Sequence, residues 1–212
     1  MKNLSYTQEY YLCAVNSKGD VPKLKFAAIH SALFSGGIME LLENGFVERS
    51  ENDTIVVSKP LGDDFLYLKT LYDYVVSLEK PLNLKRLIKF VSTTKQYDEF
   101  LPAIGLSLAA LGCADELPSQ GLLKNKTKYA PKSEQVNLII EKIRAELLED
   151  GTITDETLCL TVLLDKSFIL PDYFSKAESE TLKKRLEEVR GSDTYVMAKD
   201  IFSITMAGGL EV

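Results

Sequence analysis

Residues 23–45 read KLKFAAIHSALFSGGIMELLENG, and the fold class turns on how this stretch is read. Leu24, Ala27, Ala28, Leu33, Ile38, Leu41 and Leu42 recur at the spacing of one helical face, and Gly45 stands where a C-terminal glycine relieves left-handed strain. Ser35, Gly36 and Gly37 interrupt the middle of this helix. Two adjacent glycines in a helix interior cost about 1 kcal/mol each against Ala, so they predict a kink or a tight crossing with another helix.

Working upstream, Thr7 precedes an apolar run through Tyr10, Tyr11, Cys13, Ala14 and Val15, which predicts a short first helix ended by the turn formers of residues 16–20. Downstream, residues 46–49 and 54–57 are β-formers flanking the turn formers of residues 50–53, the pattern of a hairpin. Pro60 to Asp63 make a break, and Asp63 or Asp64 is placed to cap a helix carrying Phe65, Leu68, Leu71, Val75 and Val76 that Pro81 ends. Further helical patterns run from Asn83 to Val91 and from Phe100 to Gly112, the second rich enough in Leu and Ala to be buried on most faces. Leu117 to Lys132 reads as a projecting loop or hairpin. Ser133 opens a helix with the stripe Val136, Ile139, Ile140, Ile143 and Leu147, and Thr154 or Asp155 caps a helix from Leu158 to Leu164 that is apolar almost all round. Two final helices span roughly Ser175 to Arg190 and Asp193 to Ala207. The expectation is a mainly α protein, one helical domain over residues 1–212 with a central helix bundle and one or two short β-hairpins.

With 212 residues the chain can bury a core without metal or disulfide staples. Its formal charge of −6 argues against general nucleic-acid binding, which needs a surplus of Lys and Arg. Cys13, Cys113 and Cys159 lie far apart inside apolar runs, so they are read as buried core thiols in a reducing compartment. No apolar run approaches the roughly 18 residues a membrane span requires, and residues 1–16 lack the charged-then-apolar pattern of a secretory leader. A cytoplasmic protein with at most peripheral membrane contact is expected.

Catalytic chemistry leaves little trace. His30 is the sole histidine, sits within the second helix near Ala27 and Phe34, and has no His or Cys partner at ligand spacing, which favours a half-buried structural role. Asp63 and Asp64 could hold a metal, but helix capping accounts for them. Neither Gly36-Gly37 nor Gly208-Gly209 belongs to a phosphate-cradling pattern, and no GxSxG elbow is present. No enzyme activity, cofactor or metal is expected. Two basic clusters remain: Lys85, Arg86 and Lys89 on a helix, where a solvated face explains them, and Lys124, Lys126 and Lys128 in the projecting segment. In an extended strand these three lysines share one face, and Leu122, Leu123 and Tyr129 are available to touch an apolar partner or a lipid interface.

Three stretches, Tyr6 to Leu12, Ile38 to Gly45 and Pro60 to Asp63, give the chain a resemblance to the Golgi phosphoprotein 3 family, with weaker similarity from Leu108 to Gly112, in the lysine-containing segment and after Asp155. The resemblance runs from about Leu4 to Ala207 and implies a helical bundle with a projecting β-hairpin used for membrane contact or self-association. Eukaryotic members bind phosphatidylinositol 4-phosphate and grip the cytosolic tails of glycosyltransferases. It therefore implies a non-enzymatic peripheral adaptor of bacterial type, whose partners are anionic phospholipid head groups or protein tails, with possible homo-oligomers. By this resemblance the family's lipid-pocket positions fall near Lys25, Phe34, Leu101 and Ala103, of which the last three cannot pair with phosphate. The contact expected to survive is the hairpin, through Lys124, Lys126, Lys128 and Tyr129. The competing expectation is a protein-binding module whose hairpin mediates oligomerisation without lipid.

Overall fold

A computed structural model of the chain describes residues 4–52, 54–84, 86, 94–118, 127–149 and 151–209. The first helix, α1 (Tyr6–Ala14), is capped by Ser5 and begins two residues earlier than a start after Thr7 would give. Ser5 and Gln8 form a reciprocal cap: the Ser5 hydroxyl accepts from the Gln8 amide at 3.3 Å and the Gln8 side chain accepts from the Ser5 amide at 3.1 Å. A single tight turn, Lys23–Lys25, leads into α2 (Phe26–Glu43). Gly45 then ends the helix at φ 65°, with the amide of Phe46 bonded back to the Leu41 carbonyl at 3.0 Å.

The glycine pair marks a crossing, and α2 runs through it as one helix. A Cβ on Gly36 would stand 2.6 Å from Thr7 Oγ1, and one on Gly37 would stand 2.5 Å from Leu71 Cδ1 and 2.9 Å from Phe100 Cζ. Glycine is therefore required by neighbours on both sides of the helix.

Strands β1 (Val47–Arg49) and β2 (Thr54–Val57) form the expected antiparallel hairpin, with Val47 opposite Val57. A third strand, β3 (Leu82–Asn83), adds to β2 through Ile55 and Leu82. No sequence pattern marks it, because two residues are too few to show alternation. Asn83 closes this strand and accepts the amide of Arg86 at 2.9 Å. The remainder of the helix expected to Val91, with Lys85 and Lys89, lies outside the described residues.

Asp63 and Asp64 do not cap a helix. They stand in a tight turn, Asp63–Leu68, whose leading position is Gly62 with no side-chain cap, and α3 (Lys69–Val76) follows. Helix α4 (Thr94–Ala110) starts six residues before the expected Phe100 and carries Pro102 inside it. It is one-sided: Tyr97, Phe100, Ile104 and Leu108 are buried while Leu106 is exposed. High Leu and Ala content misled here, since apolar composition without a stripe does not say which faces are covered.

The second hairpin is present at its base, where β4 (Ala114–Leu117) pairs with β5 (Lys128–Pro131) and Leu117 faces Lys128. Lys124, Lys126, Leu122 and Leu123 lie outside the described residues. Helix α5 (Ser133–Ile143) continues into a wider turn, Arg144–Leu148. Helix α6 (Asp155–Lys166) is capped by Thr154, and every residue from Thr157 to Leu164 is buried, as its all-round apolar pattern requires. Helices α7 (Lys176–Glu188) and α8 (Asp193–Gly209) complete the chain. The core lies where α1, α2, α6 and α8 meet, with α4 and α5 against α1. Eight α-helices and two small antiparallel sheets among the described residues make the fold mainly α.

Helix α6 ends with the same backbone motif as α2, but its left-handed position is Phe168, at φ 62°. A side chain in that conformation costs about 1–2 kcal/mol, and Phe168 is 66% exposed, so its ring recovers little by burial. Phe168→Gly is expected to raise stability by about 0.5–1 kcal/mol, read as a higher urea midpoint. An unchanged or lower midpoint would show that the ring contributes more than the strain removes.

Candidate functional site

The base of the second hairpin is built on the loop between α1 and α2. The Asn16 side chain accepts the amides of Lys18 and Asp20 at 2.8 and 3.1 Å, which folds the loop back on itself, and Gly19 takes φ 71° at its apex. A Cβ on Gly19 would be 2.7 Å from Lys128 Cβ and 3.1 Å from the Tyr129 amide nitrogen, so only glycine lets the loop lie on β5. Lys128 Nζ then reaches Asp20 Oδ1 at 2.6 Å, with both side chains about half exposed.

Tyr129 is not a surface contact. It is 6% exposed, its backbone carbonyl accepts from the Tyr11 hydroxyl at 3.2 Å, and its ring lies over Gly105, where a Cβ would come within 2.7 Å of Cγ. The alternation of a strand explains this. Lys128 faces outward, so its neighbour Tyr129 faces the core.

Between loop and hairpin lies a cavity of about 300 Å³ whose apolar lining includes Tyr11, Val21, Phe26, Tyr97, Leu101 and Tyr129. Its charged lining is mixed: Lys23 and Lys128 against Asp20 and Asp98. The floor is aromatic, with Phe26 and Tyr97 edge to face at 5.1 Å and His30 packed on Tyr97 at 4.3 Å and on Phe34 at 4.7 Å. Burial pushes the His30 imidazole down to about 4, against a smaller opposing pull from Asp98, so it is neutral at physiological pH. Its Nε2 is buried without a hydrogen-bond partner. That environment fits a packing role.

The four positions singled out by the resemblance do not converge. Lys25 is committed to Asp172, with Nζ 2.6 Å from Oδ2. Phe34 is fully buried against His30 and Phe100. Leu101 lines the apolar cavity, whereas Ala103, two residues along α4, lines a different hollow with Lys69 and Asp73. Two residues on a helix point about 200° apart, which is why the pair splits. Leu24 departs from expectation in the opposite direction. Placed on the apolar helical face by its spacing, it instead occupies the turn before α2 and is 102% exposed.

A second polar cluster is structural. Glu40, 2% exposed on α2, accepts the amide of Thr7 at 2.9 Å and the hydroxyl of Tyr67 at 2.5 Å, and Glu43 accepts the hydroxyl of Tyr6 at 2.8 Å. Glu40 thus satisfies an otherwise unpaired donor at the start of α1. Burial raises its carboxyl above the ordinary range, opposed by the bonds from Tyr67 and Thr7. Cys13 and Cys159 are buried, and burial pushes both thiols far up, which keeps them protonated and unreactive. Among the described residues no three His, Cys, Asp or Glu side chains gather as a metal site would need, and no helix is long and apolar enough to cross a membrane.

No curated protein matches the chain. The family model described as Golgi phosphoprotein 3 (GPP34) matches residues 7–202, from the opening turn of α1 into α8. With nearly the whole helical body inside that match, the chain belongs to the Golgi phosphoprotein 3 (GPP34) family.

Proposed function

We propose that this protein is a non-catalytic peripheral adaptor that meets an anionic phospholipid surface at the end of the molecule bearing the second hairpin. The observation that supports the reading is the close approach of Gly19 to Lys128, which sets the loop between α1 and α2 against the base of the second hairpin. By sequence, residues 16–25 hold three lysines against one aspartate and residues 117–132 hold four lysines and no acid, with Lys25 paired to Asp172 and Lys128 to Asp20. Each Lys near an anionic membrane contributes about 1 kcal/mol, so attachment through such an end is additive and salt-sensitive. Within this reading the cavity beside the hairpin accommodates apolar matter. The pocket positions near Phe34, Leu101 and Ala103 offer no charge for a phosphate, which argues against selection of one phosphorylated head group.

Family membership and the apolar cavity also support a second reading, an adaptor that grips an apolar protein tail. Co-sedimentation with phosphatidylglycerol and with phosphatidylcholine vesicles separates the two. Binding to the anionic vesicles at low salt, its loss at high salt, and its loss when Lys124, Lys126 and Lys128 are all replaced by Glu are the expected results. No sedimentation with anionic vesicles at low salt would refute the membrane reading and leave the tail-binding one.

A further inference from the structure

Among the described residues Phe168 alone takes a positive φ without being glycine. Its neighbours hold it there. The Ile169 amide donates to the Leu164 carbonyl at 2.8 Å, the Ser167 hydroxyl donates to the Leu163 carbonyl at 2.6 Å, and Ile169 and Leu170 are buried directly after it. The backbone cannot relax without drawing those two residues from the core, so the ring is carried outward on a fixed turn. Strain that the surroundings impose in this way is characteristic of contact sites. A ring on a fixed turn also loses little backbone freedom when a partner covers it, which makes it a better anchor than the same ring on a loose loop.

Beside Phe168 lies a hollow of about 490 Å³, between the end of α6, the tight turn Leu170–Asp172, α7 and the start of α8. Leu170, Pro171, Leu186 and Tyr195 supply its apolar lining, and Phe168 stands at its edge. Such a volume is within the range of protein cavities that take a ligand, and ample for one aromatic ring.

Two features select a second copy of this chain as the occupant. The projecting ring and the hollow share one patch of surface, and a contact about a two-fold axis requires that arrangement, because each copy must offer both the knob and the hole. The second feature is charge. The chain carries −6, so most approaches of two copies are repulsive, yet the charged lining of the hollow balances, with Lys166 and Lys183 against Asp165 and Glu187. An acidic or a basic partner gains no net attraction there. Two copies meet without net repulsion, and the lysines of one can answer the carboxylates of the other.

We infer that the end of α6 is a self-association contact, in which Phe168 of each copy enters the hollow of the other about a two-fold axis. The contact is separate from the second hairpin and does not rest on the membrane reading above.

Sedimentation equilibrium from low micromolar to submillimolar protein tests it. The unsubstituted chain is expected to pass from monomer to dimer over that range. Phe168→Gly is expected to raise the dimer dissociation constant about a hundredfold, since one substitution removes two rings from a symmetric contact. Phe168→Asn, which keeps a side chain suited to a left-handed turn, should do the same. Lys183→Glu tips the balanced lining towards acid and should weaken the dimer in a way that added salt reverses. Replacing Lys124, Lys126 and Lys128 by Glu should leave the dissociation constant unchanged. The raised urea midpoint expected of Phe168→Gly separates loss of the contact from loss of the fold. A chain that stays monomeric throughout overturns the inference, and so does a dimer whose dissociation constant Phe168→Gly leaves unaltered.

Discussion

Glu40→Ala is expected to lower the free energy of unfolding by about 2–4 kcal/mol, the largest effect of any single substitution considered for this chain. The change strands the buried Thr7 amide and takes from the Tyr67 hydroxyl its carboxylate partner, leaving it Ser5 Oγ at 2.9 Å, and an unsatisfied buried group costs about 1–3 kcal/mol. Removing a carboxyl group that is itself costly to bury offsets part of that loss. Glu40→Gln keeps an acceptor for Thr7 and should recover at least half the stability. The raised carboxyl of Glu40 adds a signature in pH. Between the unfolded-state value and the higher folded-state one, the folded protein holds a proton that the unfolded chain has lost, so this group's contribution falls as pH rises. The deficit of Glu40→Gln relative to the unsubstituted protein should therefore be smaller at pH 8 than at pH 5. Urea midpoints of the three proteins at both pH values decide the matter. An Ala variant as stable as the parent would mean that α1 is not anchored through Glu40.

His30→Phe is expected to gain about 2 kcal/mol more at pH 5 than at pH 7.5. The sign follows from a folded-state value pushed down to about 4 against an ordinary value of 6.5. In that window the unfolded chain takes up a proton that the folded one refuses, so stability is lost as pH falls below 6.5 and the loss is complete near 4. At pH 5 this amounts to about 2 kcal/mol, and at pH 7.5 to almost nothing. His30 is the sole histidine, so the difference between variant and parent isolates it from the carboxylates, which titrate in both. Phe also leaves no stranded Nε2 in the ring cluster formed with Phe26, Phe34 and Tyr97. Parallel stability curves for the two proteins from pH 7.5 to 5 would show that the imidazole is solvated and protonates freely.

Both substitutions probe the interior, and both mark the boundary between what a linear pattern reveals and what it hides. The second helix, its glycine stop, the first hairpin and the all-apolar α6 were legible because each depends on residues within a few positions of one another. The role of Gly36 and Gly37 was half legible. Their number announced a close approach, while the partners, Thr7, Leu71 and Phe100, come from three other elements. At the candidate site the sequence located the lysine-rich hairpin but not its companion loop, because the Gly19 contact with Lys128 spans more than a hundred residues of chain. Leu24 was misplaced for a related reason. Its spacing fits the apolar face of α2, and only the tight turn at Lys23–Lys25 removes it from that face.

The first helix sets the division most clearly. The sequence by itself determined that a short helix follows Thr7, through the apolar run from Tyr10 to Val15 and the absence of a breaker before Asn16, while the Ser5 and Gln8 cap that starts it at Tyr6 came from the structure. Nothing in the pattern Tyr-Thr-Gln-Glu-Tyr-Tyr indicated that all nine residues would be buried, Thr7, Gln8 and Glu9 among them. Tertiary structure decided that by bringing partners from afar: Ser107 accepts from the Gln8 amide group at 3.0 Å, Lys142 pairs with Glu9 at 2.6 Å, and Glu40 takes the Thr7 amide. Helix formation is a local competition that a short stretch of sequence settles, whereas burial of a polar side chain is stable only if a donor or acceptor elsewhere in the chain is delivered to it, and that delivery exists only in the assembled fold.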